Sequence, residues 1–159
     1  MKKLKAFIAL DASDNKKNIE VVQRLHQMVY GFKVGYRSFF SKDATKLISE
    51  IKRKKSNLFL DLKLHDIPNT VSSAIDSLKK INPDFLTLHI SGGEEMLKAA
   101  LQNIKKLNMK TKVLGVTLLT SLDGKDSQKI YGEKNTDHLI KKLALIANNT
   151  NISGLICSG

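Results

Sequence analysis

At 159 residues, 42% hydrophobic and 26% charged, the chain is long enough for one domain with a real core and has an ordinary globular composition. The short apolar stretch after Lys2, Lys3 and Lys5 ends at Asp11, well short of a signal-peptide core or a membrane span. The single cysteine, Cys157, excludes an internal disulfide, so the expectation is a cytoplasmic protein. The formal charge of +12 points toward an anionic partner, but the excess is nearly all lysine scattered over helical stretches such as 52–55 and 105–106, and solvated helix faces account for most of it.

Short apolar runs alternate with segments of helical period. The predicted order is strand 6–11, helix 15–29, strand 32–36, helix 42–54, strand 57–63, helix 67–81, strand 85–90, helix 94–107, strand 112–119, helix 136–149 and strand 154–158. Ile19, Val22, Leu25 and Val29 recur at helical spacing, as do Ala44, Leu47, Ile48 and Ile51. Strand-helix repetition of this kind favours a parallel sheet with helices packed outside. No linker or second compositional zone divides the chain, so 1–159 reads as a single α/β domain.

Two architectures fit that order, an open doubly wound sheet and a TIM-type (β/α)8 barrel. Side-chain alternation favours the barrel. Phe7, Ala9 and Asp11 share one face of the first strand, and Phe59, Asp61 and Lys63 share one face of the third, opposite Leu58, Leu60, Leu62 and Leu64. One face is apolar throughout, while the other turns polar only at its carboxyl end, where barrel enzymes place their chemistry. An open sheet would bury Asp61 and Lys63 beneath a helix, at a higher cost. No GxGxxG segment follows the first strand, which weakens a dinucleotide-binding reading.

The stretch DLKLHDIPNT at 61–70 concentrates the titratable groups. Asp61 and Lys63 stand two apart on a strand, about 6 to 7 Å along the chain, and project from one face. His65 and Asp66 begin a loop, and Ile67, Pro68, Asn69 and Thr70 read as a helix start. A salt-bridged strand end with a helix cap is one explanation. The other adds Asp11 and Lys33, which a barrel would bring to the same mouth, giving a network of alternating charges able to hold a lysine protonated as a general acid. Metal is a competing explanation for Asp61, His65 and Asp66, but Lys63 supplies a cation where the ion would sit. His89 is either a pocket residue or a hydrogen-bonded strand end. His26 and His138 read as surface or packing residues, and Cys157 as a buried strand residue.

FLDLKLHDIPNTV at 59–71 resembles the signature of the orotidine 5′-monophosphate decarboxylase family, with Asp61, Lys63 and Asp66 in the pattern D-x-K-x-x-D-I-P-x-T. ALD at 9–11, FKVG at 32–35, LHISGG at 88–93 and LLTSL at 118–122 follow in the family's order and spacing. The resemblance implies a barrel enzyme without metal or cofactor that acts as a homodimer on a nucleotide. It makes Lys63 the proton donor to the ring carbon that loses carbon dioxide and sets Asp61 against the substrate carboxylate. Lys33 would bond the ribose and anchor the charged network, and Asp11 would hold a ribose hydroxyl. Asp66 and Thr70 would reach across the dimer into the partner's site, Ile67 of the same motif would line the substrate, and Thr120 would sit by the pyrimidine. The segment 121–132 would be part of a mobile cover. About six of the family's eight strand-helix units are represented. The units that supply a phosphate-gripping glutamine and arginine are not, so the expectation is a portion of a longer protein.

Two other functions compete. One is a magnesium-dependent sugar-phosphate decarboxylase or aldolase of the same barrel superfamily. The other is a basic nucleic-acid-binding module, which the 6% aromatic content and the scarcity of arginine argue against.

Overall fold

The computed structural model describes residues 4–157. Six strands, β1 (Leu4–Ala9), β2 (Val29–Gly35), β3 (Asn57–Leu64), β4 (Phe85–His89), β5 (Lys112–Val116) and β6 (Gly154–Ile156), form one sheet in the order in which they occur in the chain. The β1/β2, β2/β3 and β5/β6 pairs are parallel. The helices are α1 (Asn15–Leu25), α2 (Tyr36–Phe39), α3 (Ala44–Arg53), α4 (Pro68–Leu78), α5 (Gly93–Lys106), α6 (Gly124–Tyr131) and α7 (Thr136–Thr150). A doubly wound sheet reverses its strand order at a switch point, whereas this order never does, so the fold is α/β of the (β/α)8 barrel type with six strands present.

Packing divides the chain into two compact units, one comprising the residues up to Leu62 with Lys80–Leu86, the other Lys63–Lys79 with the residues from Thr87 onward. In the first, α1 packs on α3, and Val22, Phe32, Val34, Leu47, Ile51, Leu58 and Leu60 are completely buried. Alternate residues of β3 go elsewhere: the Phe59 ring joins Phe7, Tyr30 and Phe85, and the Phe7 centroid lies 5.3 Å from each of the other three. Gly31 makes room for this aromatic layer, because a Cβ there would stand 2.7 Å from the Phe7 ring and 2.3 Å from the Asn57 carbonyl oxygen. In the second unit α5 packs on both α4 and α7, burying Val71, Ile75, Met96, Leu97, Ala100 and Leu143. The Asn103 amide ties α5 to α4 by donating to the Ser72 carbonyl at 2.8 Å.

Each predicted strand and helix is present, with differences at the ends. The first helix stops at Leu25 rather than 29, because Val29, which continues its apolar series, is used instead as the buried first residue of β2. Asp11 lies two residues beyond β1, and Tyr36 begins α2 instead of ending β2. Most of the segment read as a mobile cover is α6. Its Asp123 carboxylate accepts from the backbone N–H groups of Lys125 and Asp126, and Gly132 closes it at φ 69°, so the Asp and Gly content that suggests a loop is capping chemistry. Cys157 is exposed, not buried: β6 ends at Ile156 and has no strand on its outer side among the described residues. Ser158, the expected end of that strand, and Lys2 and Lys3 lie outside the described residues. Among the described residues no helix is long and apolar enough to cross a membrane.

Candidate active site

The parallel register of β2 and β3 pairs Lys33 with Phe59 and Gly35 with Asp61. It brings two side chains 28 positions apart into contact: Lys33 Nζ donates to Asp61 Oδ2 at 3.2 Å. Both are half-buried, with 29% and 12% of their side chains exposed. Asp61 stands one alternation beyond Phe59, so the pair lies immediately past the aromatic layer, with dry packing on one side. The Tyr36 hydroxyl donates to the Leu62 carbonyl, and its phenol is held above the usual range by burial and then by the Asp61 carboxylate.

Asp11 is exposed but its backbone is pinned on both sides. Leu10 donates its N–H to the Lys33 carbonyl at 2.9 Å and accepts from Ser38 Oγ at 2.6 Å. Ala12 donates its N–H to Asn18 Oδ1 at 3.2 Å. Asn18 in turn donates to Asn15 and Ser38, and all three residues are buried. The Asp11 carboxylate stands beside Gly35, 3.9 Å from where a Cβ on that glycine would lie. Asn15, Asn18 and Ser38 thus hold the segment that carries Asp11. The sequence carries a usable signal for the first two: asparagines three apart at a helix start, which must find partners if buried.

The other predicted site residues belong to the second unit. Lys63 adopts φ 42°, an uncommon left-handed conformation for a lysine, and its N–H donates to Thr87 Oγ1 at 2.8 Å. The backbone of β3 thus departs from regular extended geometry at Lys63. Asp66 is exposed and turns Oδ1 back onto the N–H of Ile67 at 2.7 Å. Ile67 is 66% exposed, an unusual position for a large apolar side chain, and Thr70 is exposed in the first turn of α4. Thr120 is exposed in the turn after β5. His89 ends β4 with its ring tilted against His65, the centroids 5.2 Å apart. His138 is a surface residue, as expected, paired through Nδ1 with Glu133 at 2.7 Å. Among the described residues no three His, Cys, Asp or Glu side chains gather as a metal-ligand set.

The sequence matches the orotidine 5′-phosphate decarboxylase / HUMPS family over residues 5–159. The orotidine 5′-phosphate decarboxylase of Buchnera aphidicola subsp. Baizongia pistaciae is 37% identical over 158 residues, covering 99% of this chain and 66% of its own length. That of Nautilia profundicola is 34% identical over 157 residues, covering 98% and 67%. Among solved structures, an uncharacterized conserved protein from Geobacillus kaustophilus matches with TM-score 0.86 at 26% identity over 95% of this chain and 72% of its own. Orotidine 5′-phosphate decarboxylase from Lactobacillus acidophilus matches with TM-score 0.81 at 29% identity, over 97% and 71%. The chain thus spans about two thirds of the length of the curated relatives it matches.

Proposed function

Because the chain belongs to the orotidine 5′-phosphate decarboxylase / HUMPS family, we propose that it carries the decarboxylating centre of an enzyme converting orotidine 5′-monophosphate to uridine 5′-monophosphate and carbon dioxide. The observation that carries this reading is the Lys33–Asp61 ion pair, half-buried beyond an aromatic layer and two residues before Lys63. Loss of carbon dioxide leaves the bonding electron pair on the pyrimidine ring carbon, with no conjugated sink to receive it. An ammonium that stabilises that charge and then delivers a proton to the same carbon answers both needs. Lys63 is that donor. Asp61 faces the departing carboxylate, an opposition relieved as carbon dioxide leaves. Lys33 anchors Asp61 through their ion pair and bonds the ribose, and Asp11, on its pinned segment, holds a ribose hydroxyl.

Asp66 and Thr70 are exposed at the start of α4, which suits residues that complete the site of a partner copy in a homodimer, and the exposed Ile67 between them lines the substrate. Thr120 contacts the pyrimidine. In this reading the chain is part of one cytoplasmic, nucleotide-binding barrel domain that needs neither metal nor cofactor. Loss of orotate-ring absorbance in the intact enzyme tests it, with Lys63→Ala alongside. Turnover in the parent that persists in chelator and collapses in the variant is the expected result. Full activity in Lys63→Ala would remove the proton-donor role, and activity abolished by chelator would favour magnesium-dependent sugar-phosphate chemistry instead.

A further inference from the structure

We propose that Tyr36 is a positioning residue for Lys63: its hydroxyl and that of Thr87 grip the two ends of the Leu62–Lys63 peptide and so set the direction in which Lys63 leaves the backbone. The proposal rests on the reading of Lys63 as proton donor. The β2/β3 register runs out at Gly35 and Asp61, where β2 gives way to α2, and the next carbonyl of β3, that of Leu62, accepts from the Tyr36 hydroxyl instead of a ladder partner. At the other end of the same peptide group, the Lys63 N–H donates to Thr87 Oγ1 at 2.8 Å. Leu62 is 4% exposed and Thr87 fully buried, whereas the Tyr36 whose hydroxyl reaches the carbonyl is itself half-exposed.

A peptide group is planar, so a hydrogen bond at each end fixes the orientation of its plane. That orientation relative to the Lys63 Cα is the φ angle, held here at 42°. A lysine stays in this region only where its surroundings impose it. Released, it relaxes toward negative φ and swings its Cβ, and a shift of about 1 Å in a reacting group can cost on the order of 100-fold in rate. The Tyr36 ring is itself steadied by stacking on Phe40, with centroids 5.9 Å apart and planes 10° from parallel.

Tyr36→Phe keeps the ring and deletes the hydroxyl. In the intact enzyme it should lower kcat about tenfold, the effect of one lost hydrogen bond, with KM for orotidine 5′-monophosphate and Tm nearly unchanged. Thr87→Val should act in the same direction, and Thr87→Ser, which keeps a hydroxyl, should restore most of the rate. Undiminished kcat in Tyr36→Phe, or a loss of rate accompanied by an equal loss in Thr87→Ser, would overturn the proposal. The clamp is also read without turnover: in 15N-lysine-labelled protein the Lys63 amide should exchange its hydrogen faster in Tyr36→Phe, and unchanged exchange refutes the clamp. A parent enzyme that leaves orotidine 5′-monophosphate intact while showing that exchange difference would sink the functional reading and spare the clamp.

Discussion

Two ion-pair clusters of almost equal geometry differ in everything that gives charge a use. On α5, Lys98 Nζ lies 3.0 Å from Glu94 and 3.5 Å from Glu95, partners four and three residues away on an exposed helix face, with side chains 43%, 37% and 84% exposed. Lys33 and Asp61 are 3.2 Å apart, yet they come from different strands and are half-buried. Water and salt screen the first cluster and side-chain entropy opposes it, so it adds little. The second has dry aromatic packing to one side and an arrangement set by strand register. Distance alone does not separate a working charge from a solubilising one; burial and the origin of the partners do.

The sharpest way to break the comparison is Lys63→Ala, expected to reduce kcat by about 10⁴-fold, at the upper end of what a general acid contributes, while Tm stays near the parent value. Asp61→Asn should come next. It removes the carboxylate that faces Lys33, lowering kcat by roughly 10² to 10³ and destabilising the fold by about 1–3 kcal/mol because a half-buried ammonium is left unpaired, both measurable by steady-state kinetics and urea unfolding. On α5, Lys98→Ala should leave kcat unchanged and lower Tm only slightly at neutral pH and moderate salt, the loss fading as Glu94 is protonated.

The smallest effect is in acid. Hydrogen bonds from Lys98 and then Asn149 hold the Glu94 carboxyl below its usual value of 4.5. A depressed folded pKa contributes stability above the unfolded value, which is lost as pH falls through the folded one. A Tm profile from pH 6 to 3 should therefore fall less steeply below pH 4.5 in Lys98→Ala than in the parent, and identical profiles would show that the pair is electrostatically idle.

Much of this was legible in the chain itself. Apolar runs of strand length alternating with helical periodicity are local properties, so the six strands and five of the helices could be read in order. α2 and α6 escaped because they are too short to show a period, and the caps of α6 look like loop residues. Asp61 and Lys63 stood out through their place in a motif, whereas Tyr36 and Thr87 did not, since a tyrosine after a glycine and a threonine within a strand are unremarkable until hydrogen bonds join them to one peptide.

The sequence by itself determined the order of elements, the apolar face of each strand and the residue types available for chemistry, because these depend on spacing along the chain. Only the tertiary structure decided that Lys33 would meet Asp61, that Asn18 and Ser38 would pin the segment carrying Asp11, and that Lys63 would leave the extended conformation. Those outcomes depend on strand register and on hydrogen bonds between residues 20 or more positions apart, which exist only once the sheet has formed.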